Sequence, residues 1–262
     1  MIQERAITEW TNTVPWIDMQ QVEQDLIICR ALVAIYSDEY LSSRLAFRGG
    51  TALHKLYMSP QPRYSEDIDL VQITSEPIGT ILDRLREVLA FLGKPVVKPK
   101  RNNNTMVFRM QSTMPPIVPL KLKVEINCKE HFNVLGLSEV NFEVRNQWFT
   151  GSCRIITYRL EELIGTKLRA LYQRKKGRDL FDLYHVLKNA DVTPDKIIQC
   201  YHQYMAFSDG NSPSKAVYIA NMNEKMKEDI FLNDTQNLLS PNITFNPQEA
   251  YEFVKAKLLD KL

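Results

Sequence analysis

FRGGTALHKLY (residues 47–57) and RYSEDIDL (residues 63–70) carry the residues that decide the architecture. Leu45–Arg48 reads as a short strand that stops at Gly49-Gly50, and the run from Ala52 to Tyr57 has helical character. Farther on, Asp67-Ile68-Asp69-Leu70 alternates polar and apolar residues, the pattern of a half-buried strand. Such a strand projects Asp67 and Asp69 to one face, close enough to share a divalent cation; with no cation they would repel each other. At Gly49 and Gly50 the missing side chains let backbone N–H groups approach a phosphate, and the following helix begins with its positive dipole end at the same point. Thr51 either caps that helix or donates to the phosphate. An acidic pair alone would be read as exposed residues at a strand edge. Joined to a phosphate cradle, it suits phosphoryl or nucleotidyl transfer, where positioning and charge neutralisation do most of the work.

Outward from this stretch the periodicity changes. Val22, Leu26, Cys29, Val33 and Tyr36 recur at alternating spacings of four and three, which predicts one apolar face of an amphipathic helix. A helix over 78–92, a strand over 105–110, a proline-rich connection (Pro115, Pro116, Pro119) and an alternating strand over 121–126 follow, and Glu125 lies on the polar face of the last. VNFEVR (140–145) is a further strand candidate. From Tyr158 the strand pattern ends: 160–174 reads as a helix with Leu163, Ile164, Leu168 and Leu171 as its buried stripe. Helices are expected over 178–187, 216–230 and 247–259. The domain boundary is therefore placed at 157/158.

With 262 residues the chain forms one or two domains, and 44% apolar against 24% charged residues allows a sizeable core. A formal net charge of +2 does not announce a nucleic-acid binder. Locally, however, Lys167, Arg169, Arg174, Lys175, Lys176 and Arg178 follow one another with no acid between them. A second basic group, Lys94, Lys98, Lys100 and Arg101, reads as solvated surface. Glu4, Arg5 and Glu9 stand where a signal peptide needs an apolar run, and no uncharged stretch approaches membrane-spanning length, so a cytoplasmic protein is expected. Cys29, Cys128, Cys153 and Cys200 show no CxxC spacing and are expected as reduced thiols; Cys128 and His131, a lone pair three apart, do not make a zinc site. His54, His131, His185 and His202 show no catalytic spacing and read as structural.

The two opening stretches resemble the first motif of the AbiEii-type, MenT-like toxins, members of the polymerase-β-like nucleotidyltransferase superfamily. TKLRALYQRKKGRDLFDLYHVL (166–187) resembles the family's later lysine and GRDxxD motifs, so the likeness spans about residue 20 to about residue 187. The resemblance implies an α/β (α+β) fold: a nucleotidyltransferase core with a mixed sheet, and a helical C-terminal domain that closes the cleft. It implies Mg²⁺ (or Mn²⁺) on Asp67, Asp69 and Glu125, with Glu125 completing the metal site or helping to activate the attacking hydroxyl. Gly49, Gly50 and Thr51 would hold the triphosphate of an NTP, and Lys55, Arg63 and Ser65 would be further nucleotide contacts. Lys167 and Arg174, seven apart on one helix face, would meet the phosphates together with Arg178, and Asp179 would be the acid of the helical domain. Toxin function follows from the same resemblance, with RNA, tRNA included, as acceptor and an antitoxin protein as partner.

Alternatives stand beside these expectations. Glu143 competes with Glu125 for the third carboxylate. Asp179 follows Gly177 and could be a helix N-cap, while Lys167 and Arg174 could face solvent opposite the leucine stripe. The same site could instead modify a protein or a small-molecule hydroxyl, or the fold could be kept as a non-catalytic binding module.

Overall fold

Asp18 accepts hydrogen bonds from the N–H groups of Gln20 and Gln21 and so starts the helix around which the first half of the chain is built. The computed structural model describes residues 2–99 and 102–262. Lys100 and Arg101 of the second basic group lie outside the described residues, whereas Lys94 and Lys98 are exposed as expected of a solvated surface. The chain divides into two compact units, Met1–Phe132 with Leu137–Tyr158, and Asn133–Gly136 with Arg159–Leu262.

The first unit opens with α1 (Glu4–Trp10) and α2 (Met19–Tyr36), and α3 (Glu39–Ser42) leads into β1 (Leu45–Arg48). The chain turns at once into α4 (Gly49–Tyr57), returns as β2 (Asp67–Gln72), and passes through α5 (Gly79–Val88). Five further strands complete it: β3 (Val96–Pro99), β4 (Asn103–Gln111), β5 (Pro119–Asn127), β6 (Leu137–Arg145) and β7 (Thr150–Tyr158). All seven strands join one mixed sheet in the order β3-β4-β5-β2-β1-β7-β6. At its centre β2 runs antiparallel to β1 and parallel to β5. On β5 the alternation read from sequence is observed: Leu120, Leu122, Val124 and Ile126 are buried while Lys121, Lys123 and Glu125 take the other face.

The expectation of a single apolar face on α2 is corrected. The helix packs against β5, β6 and β7 as well as α1, α3 and α5, so its polar residues Glu23, Gln24 and Asp25 are buried too. Each has partners, as burial requires. Glu23 accepts from the N–H of Thr113 at 2.8 Å and Gln24 donates to the carbonyls of Glu66 (3.3 Å) and Lys121 (3.1 Å), just before β2 and within β5. Asp25 accepts from Trp10 Nε1 at 3.0 Å, Trp16 Nε1 at 3.3 Å and Lys55 Nζ at 2.6 Å. Burial alone would raise the Asp25 carboxyl; Lys55 and the two indoles more than reverse this and hold it below the usual carboxylate range.

The second unit is helical: α6 (Leu160–Gln173), α7 (Gly177–Asn189), α8 (Pro194–Asp209), α9 (Lys215–Lys225), α10 (Asp229–Leu232) and α11 (Pro247–Lys257). Asn133–Gly136 belongs here because the buried carboxylate of Glu162 accepts from the N–H groups of Val134 (2.8 Å) and Leu135 (2.9 Å) as well as from the Tyr204 hydroxyl (2.8 Å). The helix expected over 216–230 is divided. Where α9 ends, Lys225 turns inward to donate to the carbonyls of Leu171 and Tyr172 at the C-terminal end of α6. Among the described residues no helix is long and apolar enough to cross a membrane.

Replacing Asp25 by Ala would leave the Lys55 ammonium buried without its carboxylate. A loss of about 3–5 kcal/mol is expected in urea-unfolding stability, the usual cost of breaking a buried ion pair on one side.

Candidate active site

The β1–α4 turn is set by how closely it passes β2. Arg48 lies opposite Asp69 in the antiparallel register, and the next residue, Gly49, has φ +82°. A Cβ on Gly49 would stand 2.1 Å from Asp69 Oδ2, so both the conformation and the space require glycine. A Cβ on Gly50 would come within 2.7 Å of Arg63 Nη2 and 3.1 Å of Ser65 Oγ. These contacts bring together four residues the sequence reading had grouped: Gly49, Gly50, Arg63 and Ser65. Arg48, the N-cap residue of α4, makes no side-chain capping bond, which leaves that end of the helix suited to an anion. Thr51 is not the cap. It lies within the first turn, buried, with its hydroxyl donating to the Asp67 carbonyl and 2.8 Å from Ser65 Oγ, and so ties α4 to the start of β2.

The acids sit side by side. Parallel pairing of β2 with β5 sets Asp67 against Lys123 and Asp69 against Glu125, and the two-residue period puts all four on one face. Asp67 Oδ1 is buried with no hydrogen-bond partner among the described residues. Its other oxygen, Oδ2, is 3.2 Å from Lys123 Nζ, which also stands 3.9 Å from Glu125 Oε1. Hard carboxylate oxygens, one of them orphaned in a buried position, fit Mg²⁺ or Mn²⁺. Yet among the described residues no three His, Cys, Asp or Glu side chains are gathered as a metal site. Glu125 is in register beside Asp69, but its carboxylate is partly exposed and shares Lys123 with Asp67. Glu143 is not the alternative: β6 is the far edge of the sheet, and Glu143 is ion-paired with Arg145 at 2.7 Å.

Lys55 is not in this group. Its ammonium is buried against Asp25 and lies 3.3 Å from Cys29 Sγ, and burial pushes that thiol up to about 12. In the helical unit the motif residues meet one another. Lys167 Nζ is 3.2 Å from Asp179 Oδ1 and 2.8 Å from Asp182 Oδ2, both carboxylates fully buried. Arg174 grips Asp179 with two parallel bonds, Nε at 2.7 Å and Nη2 at 2.8 Å. Asp179 is therefore in the first turn of α7 rather than at its N-cap, which is Lys176, and Lys167 is buried rather than solvent-facing. The basic run is answered by acids distant in sequence: Lys175 by Glu228 at 2.5 Å, Lys176 and Arg178 by Asp234 at 3.6 Å and 3.7 Å.

A glycine turn pressed on the second of two strand acids is the geometry on which likeness to known proteins can be judged. The family described as nucleotidyl transferase AbiEii toxin, type IV toxin–antitoxin system, matches residues 30–260. The chain belongs to the AbiEii family. It is a nucleotidyltransferase of that toxin class, and the match runs well past residue 187, where the sequence motifs stop. The fold agrees. MenT4, a nucleotidyltransferase toxin from Mycobacterium tuberculosis H37Rv, superposes with a TM-score of 0.67 at 14% identity, covering 100% of this chain and 91% of that one. A candidate nucleotidyltransferase from H. pylori gives a TM-score of 0.53 at 18% identity, with 92% and 94% covered. Comparison of the sequence with curated proteins finds no match.

In this AbiEii chain, reasoning from sequence missed Lys123. The signal was present, since Lys123 and Glu125 share a face of an alternating strand, but only the register with β2 sets that lysine against Asp67. Partial burial would lower the Lys123 ammonium; Asp67, Glu125 and Glu66 outweigh it and leave it raised. Three histidines have structural roles: His131 Nδ1 is 2.7 Å from the Gln72 carbonyl, His202 Nδ1 is 2.8 Å from Ser212 Oγ, and His185 stacks on Phe181.

Two outcomes are expected. Gly49→Ala displaces the Asp69 carboxylate and should lower nucleotidyl transfer about 100-fold, a misplacement effect, with far-ultraviolet circular dichroism unchanged. For Asp179, burial would raise the carboxyl, but Lys167 and Arg174 reverse this and hold it below the unfolded value of about 3.9. Its stabilising contribution is thus present above that value and is lost as pH falls through the lower folded value. Wild-type melting temperature should drop more steeply below about pH 4 than that of Asp179→Asn, which lacks this titration.

Proposed function

We propose that this AbiEii toxin moves a nucleotide from an NTP to an acceptor hydroxyl, with Asp67 and Asp69 holding a Mg²⁺ or Mn²⁺ ion. The observation that carries this reading is the buried Oδ1 of Asp67, without a hydrogen-bond partner among the described residues, on the strand whose second acid, Asp69, lies against the glycine turn that begins α4. The ion, when bound, supplies positive charge to the phosphates and polarises the reacting phosphorus. The chain's own groups do the positioning. Gly49 and Gly50 admit phosphate oxygens to the backbone N–H groups of α4, and the Arg63 guanidinium lies behind Gly50 as a buried positive charge. Ser65 and Thr51 keep α4 and β2 at a fixed distance, so the acids and the N–H groups converge without rearrangement.

In the helical unit we assign Lys167, Asp179 and Asp182 to holding α6 against α7. Arg174 is half exposed while it grips Asp179, and a guanidinium with five donors can serve a carboxylate on one edge and phosphate on another. Arg178, the remaining candidate, has its Nε 3.7 Å from Asp234. RNA, tRNA included, is the acceptor class we propose, by resemblance to the family. A cognate antitoxin is the partner, and the cytoplasm, where NTPs and RNA coexist, is the place of action.

Incubation with radiolabelled NTPs and either total RNA or protein extract tests the assignment. Label should enter RNA, and Asp67→Asn or Asp69→Asn should lower incorporation by about 100- to 1,000-fold with the melting temperature preserved. Incorporation by folded Asp69→Asn at the wild-type rate would overturn the metal-site reading, and label in protein alone would overturn RNA as acceptor.

A further inference from the structure

Lys123, Glu125, Asp67 and Asp69 form a two-by-two array on one face of adjacent parallel strands. Within it the Lys123 ammonium bridges the acids, 3.2 Å from Asp67 Oδ2 and 3.9 Å from Glu125 Oε1. A cation held by oxygens of two strands is what a divalent ion would be here, and the chain already provides one, covalently tethered. This arrangement also accounts for the missing third ligand. Glu125 stands 3.9 Å from the ammonium, at the outer edge of an ion pair, and among the described residues it is not gathered with the aspartates as a metal site.

We propose that Lys123 is a built-in counter-cation that competes with the divalent metal for Asp67. The inference rests on the metal-dependent reading above and adds an order of events to it. Without nucleotide, Asp67 is partly neutralised by the ammonium, so a bare divalent ion gains little and must also displace a charge. With an NTP bound, phosphate oxygens would add to the ligands available for the ion, and its exchange for the ammonium at Asp67 would become favourable. Lys123 then releases Asp67 and, on its flexible four-carbon stem, swings fully to Glu125, which is within reach. Glu125 is thereby a positioning residue for Lys123 and not a metal ligand.

Calorimetric titration of the full chain with Mn²⁺ alone, no nucleotide present, tests this. Removing a unit charge about 3–4 Å from the ligand should tighten binding about tenfold or more, so Lys123→Gln is expected to bind Mn²⁺ at least that much more tightly than wild type. Lys123→Arg, which keeps the charge, should stay weak. Lys123 is partly exposed, and a melting curve for each variant verifies folding. Equal Mn²⁺ affinity in wild type and Lys123→Gln, lost in Asp67→Asn, would overturn the counter-cation while leaving the metal site intact. Absence of Mn²⁺ binding in wild type and Lys123→Gln alike, even with a non-hydrolysable NTP, would overturn the metal-site reading itself.

Discussion

Contact between the Gly49 backbone and the Asp69 carboxylate is the constraint that the rest of the first unit serves. Antiparallel pairing of β1 with β2 sets Arg48 opposite Asp69, so the chain leaves β1 directly over an acid. A side chain there would meet Asp69 Oδ2 at 2.1 Å, and only glycine takes the φ of +82° without strain. Because that turn is also the start of α4, the same few atoms bring a helix N-terminus and a carboxylate together. Opposite charge requirements at one point, an anion for the helix and a cation for the acid, would be met at once by the metal-bound phosphate we propose.

Holding that contact in place falls to α2. Gln24 is bonded to backbone carbonyls at the start of β2 and within β5, the two acid-bearing strands, and Asp25 is bonded to Lys55 in α4. One turn of helix thus reaches α4, β5 and the residue that leads into β2. Burying charge in this way is costly, and replacing such a pair with packed apolar residues is often neutral or stabilising. What the ion pair adds is register: hydrogen-bonded polar groups accept few alternative arrangements, whereas apolar side chains slide.

Local patterns were legible and distant pairings were not. The turn at Gly49-Gly50 and the strand faces that carry Asp67, Asp69 and Glu125 could be read because turn chemistry and the two-residue strand period act within a few positions. The apolar stripe of α6 is likewise where its spacing places it. Lys55 was expected among the nucleotide contacts, and its pairing with Asp25, thirty residues away on another helix, could not be read from local spacing. Lys123 was passed over because strand alternation says which face a residue takes but nothing about what stands beside it. Helix α8 went unread although Ile197, Cys200, Tyr201, Tyr204 and Met205 form a buried helical stripe; three of its five members are Tyr or Cys, which tempers the apolar signal. Strand β7 was lost for a related reason: Ser152, Cys153, Arg154 and Thr157 dilute the contrast between its two faces.

The basic run at 167–178 shows how far charge in sequence differs from charge at a surface. Six basic residues stand there without an acid, yet folding sets Asp179, Asp182, Glu228 and Asp234 against five of them. Arg169, the sixth, lies over the Tyr204 ring at 5.1 Å. Nucleic-acid affinity drawn from counterion release grows with the number of phosphates neutralised, and a lysine already paired with a carboxylate contributes little to that number. Lys167 is in any case buried and beyond reach of a polyanion. An RNA acceptor engaging this unit would therefore meet a nearly balanced surface, and its selection would rest on shape and on the few half-exposed guanidinium groups, Arg174 foremost, more than on long-range attraction.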